Sequence, residues 1–153
     1  MTIQPIYSKS IPYPLLLLAD PYIDMINSYI HESFLYGIPV GNDYIGIYAL
    51  YPIDETAVEI KNIAVREDHQ QKGIGKLLLH HAFAEAQKRG FHEVIIGTGN
   101  SSIPQLQWYQ KQGFEVTGLK KNFFTEHYKE PIFENGIQCK HMIVLSKPIH
   151  HSL

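Results

Sequence analysis

A strong amphipathic helix sits between two apolar, β-type runs, and this arrangement limits the possible folds more than any other feature of the chain. From Gly75 to Arg89, Leu78, Leu79, Ala82, Phe83 and Ala86 recur at three- and four-residue steps and form one apolar face. Lys88 and Arg89 suit the negative end of the helix dipole, and Gly90 can take the left-handed conformation that closes a helix. Ala57 to Val65 reads as a strand ahead of the helix. Phe91 to Ile96, centred on Val94, Ile95 and Ile96, reads as a strand behind it. Strand, helix, strand predicts a parallel pair, because parallel neighbours need a crossover long enough to hold a helix.

The flanking segments extend this unit. Residues 13 to 32 read as a broken helix, with Asp20-Pro21 ending one piece and starting the next, where proline's missing N–H has no partner to lose. Ser33 to Val40, Asp43 to Tyr51 and Ala57 to Val65 are three strands with short breaks, which favours antiparallel hairpins. Residues 102 to 112 form a shorter helix, with Ser102 as cap, Gln105 completing a capping box, and Gly113 as the stop. Phe114 to Leu119 and Ile137 to Leu145 are the last strands, separated by a charged, aromatic stretch that ends in an Asn135-Gly136 turn. The expected fold is α/β: one domain over residues 1–153, with a mixed sheet of about six to seven strands. Its front is antiparallel, it leads into a parallel pair, and helices flank it.

Composition narrows the function classes. A formal charge of −2 and the lack of a long basic run argue against a nucleic-acid partner held through phosphates. The single cysteine, Cys139, excludes an internal disulfide framework and fits a reducing compartment. The start, MTIQPIYSKS, lacks the basic-then-apolar pattern of a leader, and Leu15 to Ala19 is far too short to span a bilayer. A soluble cytoplasmic protein without a membrane partner is expected. His80-His81 and His150-His151 lack the spacing of a zinc site, so no metal is expected. Cys139 reads as a structural thiol.

Functional information concentrates in Gln70-Gln71-Lys72-Gly73-Ile74-Gly75-Lys76. Glycines after a strand and before a strong helix let the backbone turn sharply and leave N–H groups unpaired at the helix start. Those groups and the positive end of the dipole make an anion site, to which Lys72 and Lys76 add charge. The bare alternative is a tight strand-to-helix turn. A dinucleotide fingerprint fails because Leu78 stands where the third glycine belongs, and the P-loop spacing is absent. The pair Gly97-Thr98-Gly99 fails the same fingerprint at Ser102.

Gln70-x-x-Gly73-x-Gly75 resembles the pyrophosphate-binding signature of the GNAT family of acyl-CoA-dependent N-acetyltransferases. The resemblance runs from the strand Val58 to Val65, through the helix and next strand, to Tyr109-Gln110-Lys111-Gln112-Gly113-Phe114, which looks like the family's Tyr-x-x-x-Gly-Phe close. It covers residues 57 to 119. It implies two parallel strands that splay apart, with the pantetheine of acetyl-CoA pairing with free backbone groups of Ile63, Ala64 and Val65. It implies a pyrophosphate on the amides from Gln71 to Lys76, and a homodimer as the ordinary family state. No metal takes part.

The resemblance further implies direct acetyl transfer from acetyl-CoA to a primary amine. Tyr109 matches the family tyrosine and is read as the general acid, against the alternative of a core tyrosine. Glu59 matches the strand glutamate of histone-acetylating members and is read as the general base, directly or through water, against an ion pair with Lys61. The family asparagine that contacts the cofactor is replaced by Ser102, with Asn100 two residues earlier, so either could make that contact. Phe123, Phe124, Tyr128 and Phe133 with Glu126, Glu130 and Glu134 could hold a cationic amine, although a loop packed on the core is the plainer reading. Tyr22, Tyr29, Phe34 and Tyr36 form the competing acceptor wall. A non-catalytic acyl-CoA-binding module is the alternative function.

Overall fold

Whether the long helix joins strands that stay paired or part company decides the shape of this molecule. The computed structural model describes residues 1–151. In chain order the elements are β1 (Gln4–Pro5), α1 (Tyr13–Ala19), α2 (Ile23–Asn27), β2 (Phe34–Val40), β3 (Asp43–Pro52), β4 (Ala57–Val65), α3 (Ile74–Lys88) and β5 (Glu93–Gly99). There follow α4 (Ile103–Lys111), β6 (Glu115–Lys120), α5 (Phe123–His127), β7 (Ile132–Glu134), β8 (Ile137–Cys139) and β9 (Met142–Pro148). Seven strands form one sheet in the order β1-β2-β3-β4-β5-β9-β6, and β7 with β8 makes a separate hairpin. Only β4 and β5 run parallel. A mixed sheet with an antiparallel front agrees with the expectation from sequence.

The parallel pairing is short. Ala57 to Ile60 face Glu93 to Ile96, and there the ladder stops. β5 continues beside β9 as far as Gly99 opposite Met142, while β4 continues beside β3 as far as Val65 opposite Gly46. The sheet therefore opens between Lys61–Val65 and Gly97–Gly99. Backbone groups on these facing edges have no strand partner across the gap, and such groups require partners from water or a ligand.

Two cores lie on opposite faces of the sheet. On one face α3 buries Ile74, Leu78, Leu79, Ala82 and Ala86 against Val58, Ile60, Val94 and Ile96. On the other, α1 and α2 bury Leu16 and Ile26 against Ile47, Ala49 and Ala64. Each such large side chain contributes about 1.5–3 kcal/mol through removal from water. β4 serves both cores by alternation, and a register slip shifts its phase: Ala49 faces Asn62 while Leu50 faces Ile60, so Lys61 is an extra residue. Val58 and Ile60 face α3 ahead of the bulge, and Ile63 and Val65 face it afterwards. Glu59 alternates onto the α1–α2 side, and the slip leaves both Lys61 and Asn62 there with it.

Three local expectations need correction. The predicted last strand is two pieces, with Ile137–Cys139 folding back on Ile132–Glu134 through a turn in which Asn135 (φ 51°) and Gly136 (φ 78°) are both left-handed. The charged stretch before it holds the short helix α5 instead of only loop. The capping box at Ser102 does not form. The Ser102 hydroxyl donates to Glu134 at 2.6 Å, and Gln105 Oε1 accepts from the Thr98 hydroxyl at 3.2 Å, so α4 has no side-chain cap.

Candidate active site

At one end of the gap the chain turns from β4 into α3. Gln71 (φ 62°) and Gly73 (φ 82°) both hold left-handed conformations. Adding a Cβ to Gly73 would meet nothing within 4 Å, so glycine is there for its conformation and not for space. The Gln70 side chain donates to the Val65 carbonyl at 3.0 Å and ties the turn to the strand end. With Gly73 as its N-cap, α3 begins without a side-chain cap, and its first amides point away from the helix body. Left-handed residues alternating with ordinary ones gather successive amides into a concave anion cradle. Lys72 and Lys76 are exposed beside it. Trp108 of α4 overhangs this helix start, since a Cβ on Gly75 would lie 3.8 Å from its ring.

A cleft of about 340 Å³ opens on the α1–α2 side of the gap. β4 contributes Glu59, Ile60 and Lys61, and β5 contributes Gly97, Thr98 and Gly99. The α1–α2 joint supplies Asp20 and the segment after α2 supplies Tyr29, while α5 with the residue that follows it and the β7–β8 hairpin supply Phe123, Phe124, Tyr128 and Glu134. The aromatic segment after Lys120 therefore forms a wall of the cleft and is more than a packing loop. Of the competing aromatic wall, only Tyr29 lines the cleft and Tyr22 stands behind Tyr128 at 4.6 Å between ring centroids. Phe34 and Tyr36 lie on the α3 side. Phe34 sits 3.6 Å beneath the Arg89 guanidinium, and Tyr36 stacks on Tyr48 and donates to Glu85.

Glu59 is only 6% exposed and reaches Lys61 Nζ at 3.3 Å, so the ion pair weighed from sequence exists. It also lines the cleft, which leaves its carboxylate open to a ligand. Tyr109 is 5% exposed, and burial alone pushes its phenol up to about 12. It belongs to the core on the α3 face, with Phe114 edge-on at 6.2 Å. It is thus both a buried core tyrosine and a phenol that keeps its proton at neutral pH. Glu59 and Tyr109 lie on opposite faces of the sheet, and only where β4 and β5 part could they approach one reacting group.

The remaining residues singled out from sequence are engaged within the chain. Asn100 Oδ1 accepts from the Lys140 and His141 amides at 2.8 and 2.9 Å, and its Nδ2 donates to the Gln138 carbonyl. Ser101 and Ser102 both donate to Glu134. These bonds clamp the β7–β8 hairpin onto the start of α4. The second glycine pair has a packing reason: a Cβ on Gly97 would sit 2.6 Å from Met142 Sδ, and one on Gly99 would collide with Cys139 Sγ. Sequence reasoning read Asp20 only as part of a helix break and did not single out Trp108. Neither belongs to a motif, and both are brought in by tertiary packing.

Ile63 to Val65 and the cradle from Gln71 to Lys76 suit a ligand with amides along its length and a diphosphate at its end. Among the described residues no group of three or more His, Cys, Asp or Glu side chains is arranged to hold a metal ion. A splayed parallel pair, a terminal anion cradle and a cleft on one side define an acyl-CoA-dependent acyltransferase. A sequence model of the acetyltransferase (GNAT) family matches residues 3–114. The uncharacterised N-acetyltransferase YvbK of Bacillus subtilis is 47% identical over 133 residues, covering 87% of this chain and 86% of that protein. A GNAT family acetyltransferase from Elizabethkingia anophelis, crystallised with acetyl-CoA bound, is 48% identical with a TM-score of 0.93 over 97% of both chains. An IAA acetyltransferase from Bacillus cereus is 43% identical with a TM-score of 0.91, over 97% of this chain and 99% of that one. The chain belongs to the GNAT family and is an acetyl-CoA-dependent N-acetyltransferase.

Proposed function

We propose that this enzyme moves the acetyl group of acetyl-CoA directly onto a primary amine held in the cleft beside Glu59. The thioester lies in the gap, with its amides against Ile63, Ala64 and Val65 and its diphosphate on the amides from Gln71 to Lys76. Asn100 and Ser102, whose side chains are already engaged, support the cofactor end by fixing the start of α4 and not by direct contact. Glu59, directly or through a water, takes the proton that an ammonium must lose before it can attack. The neutral nitrogen then bonds to the carbonyl carbon as the carbon–sulfur bond breaks. Tyr109 gives its proton to the departing thiolate and is reprotonated through solvent from the proton the nitrogen sheds. The products are an amide and a thiol, with one net proton released per turnover.

The observation that supports this reading is the end of the parallel ladder at Ile60–Ile96, past which the edges of β4 and β5 are unpaired between the face holding Glu59 and the face holding Tyr109. A phenol pushed up to about 12 stays protonated at working pH and is suited to donating. Tyr109→Phe is expected to lower kcat about 100-fold or more, the usual size of an acid–base contribution, with coenzyme A affinity nearly unchanged. Glu59→Gln is expected to raise the pH at which kcat/KM reaches its plateau, because more of the amine must then arrive unprotonated. Steady-state rates of thiol release across pH test both. Ordinary turnover by Tyr109→Phe with the best acceptor would remove Tyr109 from the mechanism.

A further inference from the structure

The charge inside the cleft is unbalanced in a way that the acetyl transfer itself does not use. Four charged side chains line it: Asp20, Glu59, Lys61 and Glu134. Lys61 pairs with Glu59 at 3.3 Å, and among the described residues no cation pairs with Asp20 or Glu134. Asp20 is 9% exposed, and its Oδ1 accepts two long bonds, from the Tyr22 amide and the Tyr128 hydroxyl, each 3.3 Å. No hydrogen bond reaches Oδ2 among the described residues, and that oxygen is not sealed in the core, so it faces the cleft. Glu134 has Oε1 occupied by Ser101 and Ser102, which aim the carboxylate and leave Oε2 to the cleft. A buried carboxylate without a cation carries a desolvation cost that a ligand can relieve. Burial raises the Asp20 carboxyl pKa, and no positive side chain lowers it.

The walls add a second kind of recognition. Tyr128 lines the cleft with the two carboxylates: its hydroxyl reaches Asp20, and its ring stacks on Phe124 at 5.5 Å. Tyr29 lines the cleft too, with its hydroxyl accepting from Asn62 at 3.0 Å. Aromatic faces beside carboxylates favour a compact organic cation. The cleft volume of about 340 Å³ lies near the lower end for small-molecule sites, which suits a slender chain.

We propose that the acceptor is a linear diamine or polyamine that carries its charge at both ends. This rests on the acetyl-transfer reading above and specifies it. The near nitrogen must be neutral to attack, and it meets Glu59, whose charge Lys61 already balances. The far nitrogen stays an ammonium and sits between Asp20 and Glu134 against the Tyr128 ring. Asp20, Glu134 and Tyr128 are specificity residues in this scheme and take no part in bond making.

The test compares chain-matched amines with acetyl-CoA: propylamine, 3-aminopropan-1-ol and 1,3-diaminopropane, then their four-carbon counterparts and spermidine. At pH 8 and low salt, diamines should exceed monoamines of equal length in kcat/KM by about 10- to 100-fold, the range for one charge-assisted contact. Asp20→Asn and Glu134→Gln, each nearly isosteric, should shrink that ratio through KM. Adding salt should shrink it further where the contact is partly exposed. Near-unfolding melts of Asp20→Asn would shift the decision to Glu134→Gln and the salt series. Equal kcat/KM for monoamines, amino alcohols and diamines would overturn the diamine assignment while leaving amine acetylation standing. Failure of every amine to turn over, with coenzyme A still bound, would sink the acetyl-transfer reading instead.

Discussion

Asn62 holds more together than its place in an apolar strand suggests. It is 3% exposed, and its Nδ2 donates to the Leu16 carbonyl of α1 and to the Tyr29 hydroxyl, both at 3.0 Å, while its Oδ1 finds no partner. One amide thus ties β4 to α1 and to the wall of the cleft. Asn62→Val would fill the space but leave the Tyr29 phenol buried without its partner, while the Leu16 carbonyl keeps only the Asp20 amide. A loss of about 1–3 kcal/mol is expected, read from the urea midpoint. A weaker KM for the acceptor should accompany it, because Tyr29 loses its anchor. The reason Asn62 points this way was partly written in the chain: Val58 and Ile60, then Ile63 and Val65, break the two-residue alternation by one position. That break marks the bulge at Lys61. Asp20 and Trp108 carry no comparable mark, since contacts across the fold alone bring them to the cleft and the cradle.

Among the elements, α3 was the most legible, because a long amphipathic run with glycine at each end admits few alternatives. The pieces α5, β7 and β8 were read as loop or as one strand with β9, because segments of five and three residues show no period and form through contacts with neighbours. Even α3 hid a polar chain on its buried face. His81 Nδ1 lies 2.7 Å from the hydroxyl of the fully buried Tyr48, and Tyr36 joins Tyr48 to Glu85 and Arg89. Burial raises the Tyr48 phenol pKa, so Tyr48 keeps a proton that neutral His81 can accept. The His81 pKa is lowered, first by burial and then by Lys88, with Glu85 opposing. A histidine whose folded pKa lies below its unfolded value binds its proton more readily when unfolded. Its contribution to stability is therefore complete above about pH 6.5 and declines as pH falls from there toward the folded pKa. Melting temperatures of the wild type and His81→Gln between pH 5 and 8 check this. The wild type should lose more on acidification than the glutamine variant, which can accept the same bond without titrating.

For the molecule as a whole, the gap between β4 and β5 links stability to its ligand. The sheet is continuous through β1-β2-β3-β4 and through β5-β9-β6, and among the described residues the two parts pair as strands only through the four-residue parallel ladder. A cosubstrate lying in the gap would pair with the free edge of Lys61–Val65 and bridge the two parts as a missing strand would. Binding to the folded state alone at 100 times Kd adds about 2.7 kcal/mol, which for a chain of this size raises Tm on the order of 5–10 °C. A rise in Tm alone would follow from binding anywhere, so location needs amide exchange. Coenzyme A should slow exchange at the gap-side amides of Ile63–Val65 and at the α3 start from Gln71 to Lys76. Val58 to Ile60, already laddered to β5, should change little beyond the global stabilisation. Protection confined to the turn would mean that the diphosphate alone is held and the gap plays no part. Protection spread along β4 beyond the last paired residue would show that the ligand completes the sheet, which would make the break in the sheet the structural source of both binding and catalysis.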